Sequence, residues 1–589
     1  MLASFVLLGC GLMAGAAPPI GENAYCAKGD VAQFGDKDGP AALPKACYYT
    51  AMDGTPSPGK QIRVSAKADL TAAVEGAKCG DTLLLAAGAS FDVKELPRKN
   101  CDDRHYLTIR TDTPDSKLPP EGTRISPAWA GVASLPGRPT YAQPSGGPAK
   151  LLATLVVRKN SGATIGDHTR FIGIEWISDP QVNTGRLVSL EGSDHVIFDR
   201  NWIHPAEGEE VGKGIGMIQG AQMIAVINSY ISGLNCVARK GKCTDAAAVG
   251  GGNGVGPFKI FNNFLEASGQ NVFFGGSASA VIPVDIEIRR NHLFRPMSWM
   301  TEDPGYKASA SGNPYIVKNN FELKNAQRVL FEANILENSW GGFTQAGFSI
   351  LLTPKNQAEK CPKCLVADVT IRFNRIRSVG SVFQIATTLT KNGEHAFDGG
   401  HFSIHDIVAD SVHDLDYKGT GVFLQLLSND PPLHDIALDH ITAFVPGPLL
   451  TLIVKGTKID NFAITNSVFS VGDRRPPVTS AGGHEANCVA QIQKEGADVI
   501  FKQCFTNYKF EKNLIVSGRG QWPAGNFIVS STESAGIRDL KDGVSKNPRL
   551  CQEKTAGCGK ASPGAGAAPG SRDSGADVDA VEAAIQGVE

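Results

Sequence analysis

The stretch FKIFNNFLEASGQNVFFGGS, residues 258–277, has the pattern of two short strands separated by a corner. An alternating apolar run leads to paired asparagines, and a second alternating run ends at two glycines. The segment IEIRRNHL, residues 286–293, repeats the first half almost at once. Because a period of two residues is typical of a strand with one buried face, this unit predicts a strand, a corner and another strand.

The same unit recurs along most of the chain. Its further copies are VIFDRNWI (196–203), IAVINSYI (224–231), VLFEANIL (329–336), VTIRFNRI (369–376), IALDHITA (436–443) and FAITNSVF (462–469). An asparagine stands at one fixed offset in several units, namely at Asn201, Asn263, Asn291, Asn334 and Asn374. Asparagine tolerates the left-handed backbone of a sharp corner, and stacked amides can bond to one another. We therefore expect stacked coils with an asparagine ladder at one corner.

A second kind of strand precedes these units and ends in glycine or asparagine. Examples are LVSLEGS (187–193), IGMIQGA (215–221) and NVFFGGS (271–277). No amphipathic helical pattern interrupts the array, and the short stretch DLTAAVEGA at 69–77 comes before it. The pattern predicts an all-β solenoid of short parallel strands, in which each coil buries its apolar face against its neighbours.

Composition narrows the class of protein. The chain has 589 residues with 20% charged residues and a formal net charge of -2. A nucleic-acid-binding protein normally carries a basic face, so this class is not favoured. After the first residues no apolar run reaches the roughly 18 residues that a membrane-spanning helix needs, so no transmembrane span is expected.

The first residues favour export from the cell. LASFVLLGCGLMAGAA is apolar, and Ala14-Gly15-Ala16 has the form of a signal-peptidase site. We expect a signal peptide at 1–17 and a secreted or periplasmic protein. A lipoprotein acylated at Cys10 is the less favoured alternative.

Cysteine usage agrees with export. Without Cys10, the remaining cysteines fall into neighbouring pairs, which predict local disulfides in an exported chain. The pairs are Cys26/Cys47, Cys79/Cys101, Cys236/Cys243, Cys361/Cys364, Cys488/Cys504 and Cys551/Cys558. The spacing Cys361-Pro-Lys-Cys364 also suits a zinc or redox site, but no second such motif or histidine pair accompanies it. A loop disulfide is therefore the favoured interpretation.

Four segments are expected along the chain. After the signal peptide, residues 18–62 form a lead-in rich in Pro and Gly, and residues 63–540 form the solenoid. Residues 541–589 form a C-terminal segment, partly flexible, with a short helix in DVDAVEAAI. A long loop at 112–150 interrupts the early coils.

The start of the array resembles a known family. The order Ala-Val, Gly-Asp-Thr-Leu and Gly-x-x-Phe over residues 73–91 is typical of the opening of pectin-lyase-like proteins, and the asparagine ladder agrees with it. The resemblance covers roughly residues 63–535 and is nearest to a secreted bacterial branch. It implies a right-handed parallel β-helix with a short N-terminal helical cap. The superfamily acts mostly on carbohydrates, so it also implies an acidic polysaccharide as substrate or ligand.

Two chemistries follow from that resemblance. Lyases of the superfamily abstract a proton next to a uronate carboxylate, with cations to neutralise that carboxylate and often an Arg or Lys as base. Hydrolases need two carboxylic acids at a suitable separation. Asp199, Glu332 and Asp439 are available acids, but the paired-Asp motif of polygalacturonases is missing. β-Elimination is therefore favoured over hydrolysis.

Candidate site residues surround Gly275-Gly276, where the missing side chains would let a ligand approach the backbone. We expect Lys324 or Arg295 as the base and Arg289 with Arg290 as the clamp for the carboxylate. Trp299 is the predicted sugar platform. The predicted catalytic residues are Lys324, Arg295 and Arg289, and the predicted substrate-binding residues are Arg290, Trp299, Gln270, Asn271, Glu322 and Arg372.

The residues two places before the ladder asparagines form a charged column. Arg289, Glu332 and Arg372 would stack at about 4.8 Å per coil on the outer face. This column suits a carboxylated glycan, but a solvent-facing row of salt bridges is the favoured interpretation.

Calcium is the candidate metal, since the loop HPAEGEEVGKG offers Glu207, Glu209 and Glu210 as oxygen ligands. A solvated acidic loop without metal is the favoured interpretation. For the whole chain, a non-catalytic glycan-binding or adhesin solenoid also stays open. The sequence leaves the glycan, the linkage and the oligomeric state undetermined.

Overall fold

The computed structural model describes residues 17–238, 245–343, 345–387, 395–482, 487–489, 492, 495–517, 520–538, 548–554 and 557–589. The predicted signal segment up to residue 16, with Cys10, lies outside the described residues, as does Cys243 of one predicted disulfide. The other five predicted pairs are disulfides, so those predictions are confirmed.

Parallel strands stack in three rows, and the chain visits each row once per coil. The first row comprises Gln61–Val64, Thr82–Leu85, Leu107–Thr111, Thr169–Ile172, Asp194–Asp199, Gln222–Ile227, Phe258–Phe261, Val284–Arg289, Ala326–Glu332, Leu365–Arg372, Asp398–Val412, His434–Val445, Ile459–Thr465, Phe505–Thr506 and Lys509–Glu511. Asp398–Val412 and His434–Val445 continue around the corner into the second row.

The second row follows the asparagine corner. It comprises Ser90–Val93, Ala153–Val157, Ile174–Ser178, Trp202–His204, Tyr230–Leu234, Phe264–Ala267, His292–Phe294, Ile335–Ser339, Arg375–Val379, Val468–Val471, Leu514–Val516 and Phe527–Val529. The third row is a separate sheet of Ala163–Thr164, Arg186–Ser189, Lys213–Met217, Ala247–Gly251, Gln270–Phe274, Phe321–Leu323, Phe348–Leu352, Ser381–Ala386, Leu424–Ser428, Leu450–Val454 and Val478–Ser480. This is the predicted right-handed parallel β-helix.

Helices are few and lie outside the rows. They are Leu70–Gly76, Ala497–Cys504, Thr532–Ala535 and Val578–Ile585, with 3-10 turns at Met52–Gly54, Asp115–Lys117, Pro127–Trp129, Met297–Trp299, Gln357–Glu359 and Pro569–Ser571. Three short antiparallel pairs join Cys26–Ala27 to Val31–Ala32, Lys37–Asp38 to Ala41–Ala42, and Gly341–Gly342 to Gln345–Ala346. Among the described residues no helix has the length and apolar character required to cross a bilayer.

The first helix is the predicted cap. Asp69 accepts a hydrogen bond from the Ala72 amide at 3.2 Å, which satisfies one free donor of the first turn. Leu70 and Val74 are buried against the first coils. The cap therefore covers the open apolar end of the solenoid, as a terminal repeat must.

The asparagine ladder is present as predicted. Asn263 donates both its backbone N–H and its side-chain amide to Oδ1 of Asn291, at 3.0 and 2.9 Å. Asn291 does the same to Asn334, and Asn334 to Asn374. These partners lie 28, 43 and 40 residues apart, so loops of variable length leave the corner constant.

The backbone at this corner differs from the expectation. The left-handed residue is the one before each ladder asparagine, as in Arg290 (φ 55°), Ala333 (φ 57°) and Phe373 (φ 56°). The ladder asparagines themselves do not have positive φ. Asparagine is therefore required for its buried amide, while its neighbour adopts the strained turn at a cost of about 1 kcal/mol.

Inward side chains fill the solenoid with one continuous apolar core. Aromatic residues from successive coils stack on one another, as in Phe171 and Phe198, whose ring centroids are 5.2 Å apart at an interplanar angle of 14°. Because the strands are in register, each layer of the core repeats the shape of the layer below it. The repeat thus extends a core in one dimension.

An N-terminal arm, residues 17–55, covers the outer face of the first row. Its Tyr25 hydroxyl donates to Glu332 at 3.0 Å, and Asp38 accepts from Arg372 at 2.6 Å. The column Arg289, Glu332 and Arg372 has the predicted register, but Arg289 and Glu332 are buried and Arg372 is largely covered beneath this arm. The expectation of a solvent-facing row was wrong, because the sequence pattern could not show what packs on top.

Two other segments cover the second row. Leu118, Ile125 and Trp129 of the long loop form an apolar cluster with Trp202 and Phe264. The helix Val578–Ile585 packs against Ala333, Phe373 and Val408 of the middle coils. The chain's own segments thus cover part of the outer surface of both rows.

We expect Asn291→Ala to lower the free energy of unfolding by about 2–4 kcal/mol, because it leaves buried donors of Asn263 without their acceptor. Calorimetric melting would show it as a lower Tm. Asn313→Ala, on the surface, is the matched control and should cost under about 0.5 kcal/mol. Equal shifts for the two variants would contradict a structural role for the ladder.

The contact between the arm and His405 should weaken with rising pH. His405 bonds to Asp38 at 3.1 Å and to Asp406 at 2.8 Å, and these carboxylates raise the pKa of His405 from 6.5 to about 9 despite its burial. The stabilisation is therefore fully present below pH 6.5 and is lost as the pH passes 9.

Comparison of Tm between wild type and His405→Gln over this pH range would measure the stabilisation that charged His405 provides. The difference should shrink as the pH rises, and a difference that does not change with pH would show that the proton on His405 contributes nothing.

Candidate active site

Charged side chains gather on the outer side of the third row. We call them the lysine cluster: Arg186, Lys213, Lys318 and Lys324, with the carboxylates Asp245 and Glu322. Arg186 and Lys213 begin adjacent strands and are paired in register, while Glu322 and Lys324 come from the third-row strand three coils beyond Lys213. Parallel stacking therefore brings together residues that are far apart in sequence.

Phe273 lies at the centre of the cluster. The Nζ atoms of Lys213 and Lys324 lie 5.8 and 5.1 Å from its ring centroid. An ammonium near an aromatic face is stabilised by about 0.5–2 kcal/mol, and the ring keeps both lysines close despite their like charge. Lys213 and Lys324 are partly exposed, so a ligand can reach them.

The two carboxylates of the cluster are held by Gln270. Its Nε2 donates to Glu322 at 2.6 Å and to Asp245 at 3.2 Å. Lys318 forms an ion pair with Asp245, and Lys324 pairs with Glu322 at 3.3 Å. Oε1 of Gln270 is buried and has no partner among the described residues, which marks a polar position that a ligand can satisfy.

Lys213 differs from the other lysines in its surroundings. Within the described part of the chain no carboxylate lies within ion-pair distance of its Nζ. Burial lowers the pKa of Lys213, the positive charges of Arg186 and Lys324 lower it further, and Asp245 opposes them. A lysine with a depressed pKa holds a larger fraction of the neutral amine, which is the form that accepts a proton.

Small residues continue the surface beside these cations. Gly216 and Gly250 take the outward positions that Phe273 and Glu322 take in later coils. The Arg186 guanidinium lies over Gly216, 3.4 Å from the place a Cβ would occupy. Further along the row, Gln384 donates to Gln425 at 2.6 Å, so neutral polar groups extend the strip.

Three loops flank the strand starts of this row. Glu210 accepts a hydrogen bond from Ser309 at 3.4 Å, and Val237 bridges Tyr315. The described residues of the loops 205–214, 236–256 and 300–315 thus contact one another. They lie at the edge where Lys213 and Gln270 begin their strands.

The structure brings together Lys324, Glu322 and Gln270 of the predicted site. Sequence reasoning missed Lys213 and Arg186, and it gave Asp245 no role. The signal for Lys213 was its place as first residue of a strand that aligns with NVFFGGS. That signal becomes visible only once the register between coils is known.

Arg295 and Asn271 of the predicted site are fully buried. The Arg295 guanidinium donates to backbone carbonyls, including those of Ala267 and Asn338, and desolvation lowers the pKa of Arg295 to about 9. Asn271 donates to the Leu265 and Phe294 carbonyls and accepts from Asn320, as part of a second amide ladder. Both side chains hold the corner that leads into the third row.

Arg289, Arg372, Arg290 and Trp299 lie away from the cluster. Arg289 and Arg372 bond to Glu332 beneath the N-terminal arm. Arg290 donates to carbonyls of the C-terminal helix region, and Trp299 stacks on Tyr315 with Arg138 5.5 Å from its ring centroid. In this structure none of the four meets Lys324.

The notch expected at Gly275-Gly276 is closed. A Cβ at Gly275 would lie 2.5 Å from the Asn325 amide nitrogen, and one at Gly276 would lie 2.7 Å from the Phe273 ring. The glycines therefore make room for the chain's own next coil and for Phe273. The ligand approach predicted here was wrong.

The predicted calcium ligands Glu207, Glu209 and Glu210 lie on the flanking loop. Glu210 is engaged by Ser309 and Ser311. Within the described residues, three metal-ligating atoms converge instead at Asp103/His168/His195 and at His401/His434/Asp435. Calcium binding at the three glutamates stays a prediction.

The carboxylates considered for hydrolysis are held ionised. Arg170 and Arg200 lower the pKa of Asp199 to about 2, and Arg289 and Arg372 lower that of Glu332, in each case against the effect of burial. Hydrogen bonds from His440, Thr465 and Asn466 lower the pKa of Asp439 to about 2. A general acid needs a raised pKa, so these environments do not suit hydrolysis.

Several solved structures are similar to this chain at low sequence identity. No protein-family model and no curated protein matches the chain. Among solved structures, the alginate lyase from Paenibacillus sp. str. FPU-7 is similar at 11% identity, over 64% of this chain and 93% of that chain, with a TM-score of 0.30. The PL6 family alginate lyase AlyGC is similar at 13% identity, over 88% of this chain and 58% of that chain, with a TM-score of 0.45.

Pectate lyase Pel9A is also similar, at 11% identity over 85% of this chain and 92% of that chain, with a TM-score of 0.26. The parallel β-helix that the resemblance implied is shown by the pairing of this chain's own strands. At such identities and TM-scores, conclusions about chemistry depend on this chain's own residues.

We expect Lys213 to titrate below the ordinary lysine value of 10.5. NMR of the protein labelled at lysine Cε would report it. Arg186→Met should raise the pKa of Lys213 by removing a like charge, and Asp245→Asn should lower it. Exposed Lys458 is the internal reference, and a Lys213 midpoint at or above 10.5 would contradict this account of the cluster.

Proposed function

We propose that this chain is a polysaccharide lyase that cleaves a uronate-containing glycan by β-elimination at the lysine cluster. The observation that carries the proposal is Lys213, a lysine of depressed pKa surrounded by cations that can hold a carboxylate. Export of the protein belongs to the same proposal, since polymeric uronates lie outside the cell. The five disulfides among the described residues support an oxidising compartment.

The charge of the cluster suits an acidic glycan. Four cations face two carboxylates, so the cluster has an excess of positive charge while the whole chain is nearly neutral. Lys324 and Arg186 are the groups we assign to the uronate carboxylate. Neutralising that carboxylate makes the hydrogen on the adjacent carbon more acidic, which is the difficult part of the elimination.

Lys213 is the base in this proposal. Its neutral amine takes the proton from the carbon next to the carboxylate, and the electron pair forms the new carbon–carbon double bond. The glycosidic oxygen on the next carbon leaves with the bonding electrons of its C–O bond. A proton from the Lys324 ammonium or from water then completes the alcohol product.

The sequence pattern placed Lys324 or Arg295 in the role of base. Lys324 is already engaged in an ion pair with Glu322 at 3.3 Å, so we assign it a role in binding the substrate. Arg295 is enclosed by backbone carbonyls. Lys213 is better suited, because no carboxylate among the described residues stabilises its ammonium directly.

The test is the ultraviolet absorbance of the unsaturated product, measured on alginate, polygalacturonate and other uronate polymers, with added Ca²⁺ and with chelator. Lys213→Arg keeps the charge but removes the proton acceptor, so kcat should fall by about 10²- to 10⁴-fold with little change in KM. Lys324→Arg should largely retain kcat. Lys458→Met on the surface is the control.

These results distinguish Lys213 from Lys324 as the base, and a lyase from a glycan-binding protein. A loss of kcat in Lys324→Arg with an active Lys213→Arg would transfer the base role to Lys324. Compared with wild type, Arg186→Met should move the rising limb of the pH profile of kcat/KM to higher pH, because the pKa of Lys213 rises. If no polymer yields an unsaturated product or new reducing ends, the chain is a glycan-binding solenoid instead.

A further inference from the structure

The first row carries a second group of side chains, away from the lysine cluster. It includes two histidines with positive φ near the starts of adjacent first-row strands, His168 (φ 44°) and His195 (φ 55°). These two histidines occupy the same position in adjacent coils, since Thr169 pairs with Val196. Their rings stack with centroids 4.4 Å apart and an interplanar angle of 6°.

Both imidazoles point one nitrogen at the same carboxylate. Nε2 of His168 lies 3.1 Å from Oδ1 of Asp103, and Nε2 of His195 lies 3.5 Å from the same oxygen. The three ligand atoms all lie within 4.8 Å of one another. Asp103 follows Cys101, whose disulfide to Cys79 fixes the start of its loop.

The other nitrogen of His195 is already oriented. Nδ1 of His195 bonds to Oδ1 of Asp194 at 2.6 Å. With Nδ1 donating to Asp194, Nε2 presents its lone pair toward Asp103. A carboxylate on the far nitrogen of a histidine is the arrangement that fixes metal-binding imidazoles in proteins. Nδ1 of His168 is buried and has no partner among the described residues, so Nε2 makes the only polar contact of that ring.

We propose that Asp103, His168 and His195 bind a divalent transition-metal ion, with Zn²⁺ the best match. Two imidazole nitrogens and one carboxylate oxygen are a typical zinc donor set, whereas Ca²⁺ prefers oxygen alone. The histidines are largely covered, at 13% and 17% side-chain exposure, while Asp103 is 72% exposed. One side of the ion is thus open to water.

A second group on the same corner fits less well. In the group of His401, His434 and Asp435, Nε2 of His434 bonds to Asp398 at 2.8 Å and Nδ1 bonds to Asp435 at 2.7 Å. An ion would have to displace one of these charge-assisted bonds. At Asp103 the ion would replace the contacts of 3.1 and 3.5 Å that the two imidazoles make to one exposed carboxylate, while the bond from His195 to Asp194 would stay in place.

The site does not depend on the proposed lyase activity, because it lies on the first row whereas the lysine cluster lies on the third. Bound zinc would tie the loop that follows Cys101 to two coils of the solenoid. The affinity is therefore measured directly, without any substrate.

The experiment uses the whole protein after removal of metal with chelator. Zinc chloride is titrated in by calorimetry, and cobalt chloride is followed by its visible absorption. His168→Asn and His195→Asn remove the imidazole but keep a residue that tolerates positive φ. His440→Asn, at φ 50° elsewhere in the chain, is the matched control.

We expect saturable zinc binding in wild type and in His440→Asn, lost in both histidine variants, and weakened about 10- to 100-fold in Asp194→Asn. Zinc should therefore raise Tm in wild type and in His440→Asn, but not in His168→Asn or His195→Asn. If a histidine variant fails to fold in chelator, exposed Asp103→Asn gives the same test. No saturable zinc uptake, or uptake lost only in His401→Asn, would overturn the assignment.

Discussion

The amide hydrogen bond from one asparagine to the next is the contact on which the solenoid depends. Asn291, Asn334 and Asn374 each accept from a backbone donor and a side-chain donor of the coil before, at a buried corner. Because a buried unpaired donor is costly, the coils that these asparagines join are held in the register that completes the ladder. That register also aligns the strand starts of the third row, and so it positions Lys213 relative to Lys324.

Two neighbouring residues have different structural roles at each corner of the ladder. The ladder position is taken by an asparagine amide or a serine hydroxyl in the coils that the ladder joins, while the residue before it requires only a left-handed backbone, which Ala333 and Phe373 adopt without a favourable propensity. Ser229 accepts from the Asn201 backbone N–H at 3.0 Å and donates its own backbone N–H to Asn263, and Ser467 accepts from the Ile441 backbone N–H at 3.0 Å. The pattern in the sequence is therefore a pattern of hydrogen bonding rather than of turn propensity.

Much of the fold was predictable because it is local and repeated. The alternation of apolar residues, the ladder offset, the capping helix at Asp69 and the nearest-neighbour cysteine pairs each depend on residues close in sequence. The site was less predictable. Gln270, Glu322 and Lys324 were found through the repeat, but Lys213 required the register between coils. What covers an outer face, such as the N-terminal arm on Arg289, leaves no periodic signal at all.

The N-terminal arm also constrains the order of the folding steps. Asp38 bonds to Arg372, Ser403 and His405, partners that follow it by 334, 365 and 367 residues. A solenoid can otherwise form coil by coil as the chain lengthens, since each coil contacts only its neighbours. Here the arm is synthesised before the coils that it contacts, so Asp38 must wait until most of them exist. Closure of the arm is thus a late step that joins distant coils into one cooperative unit.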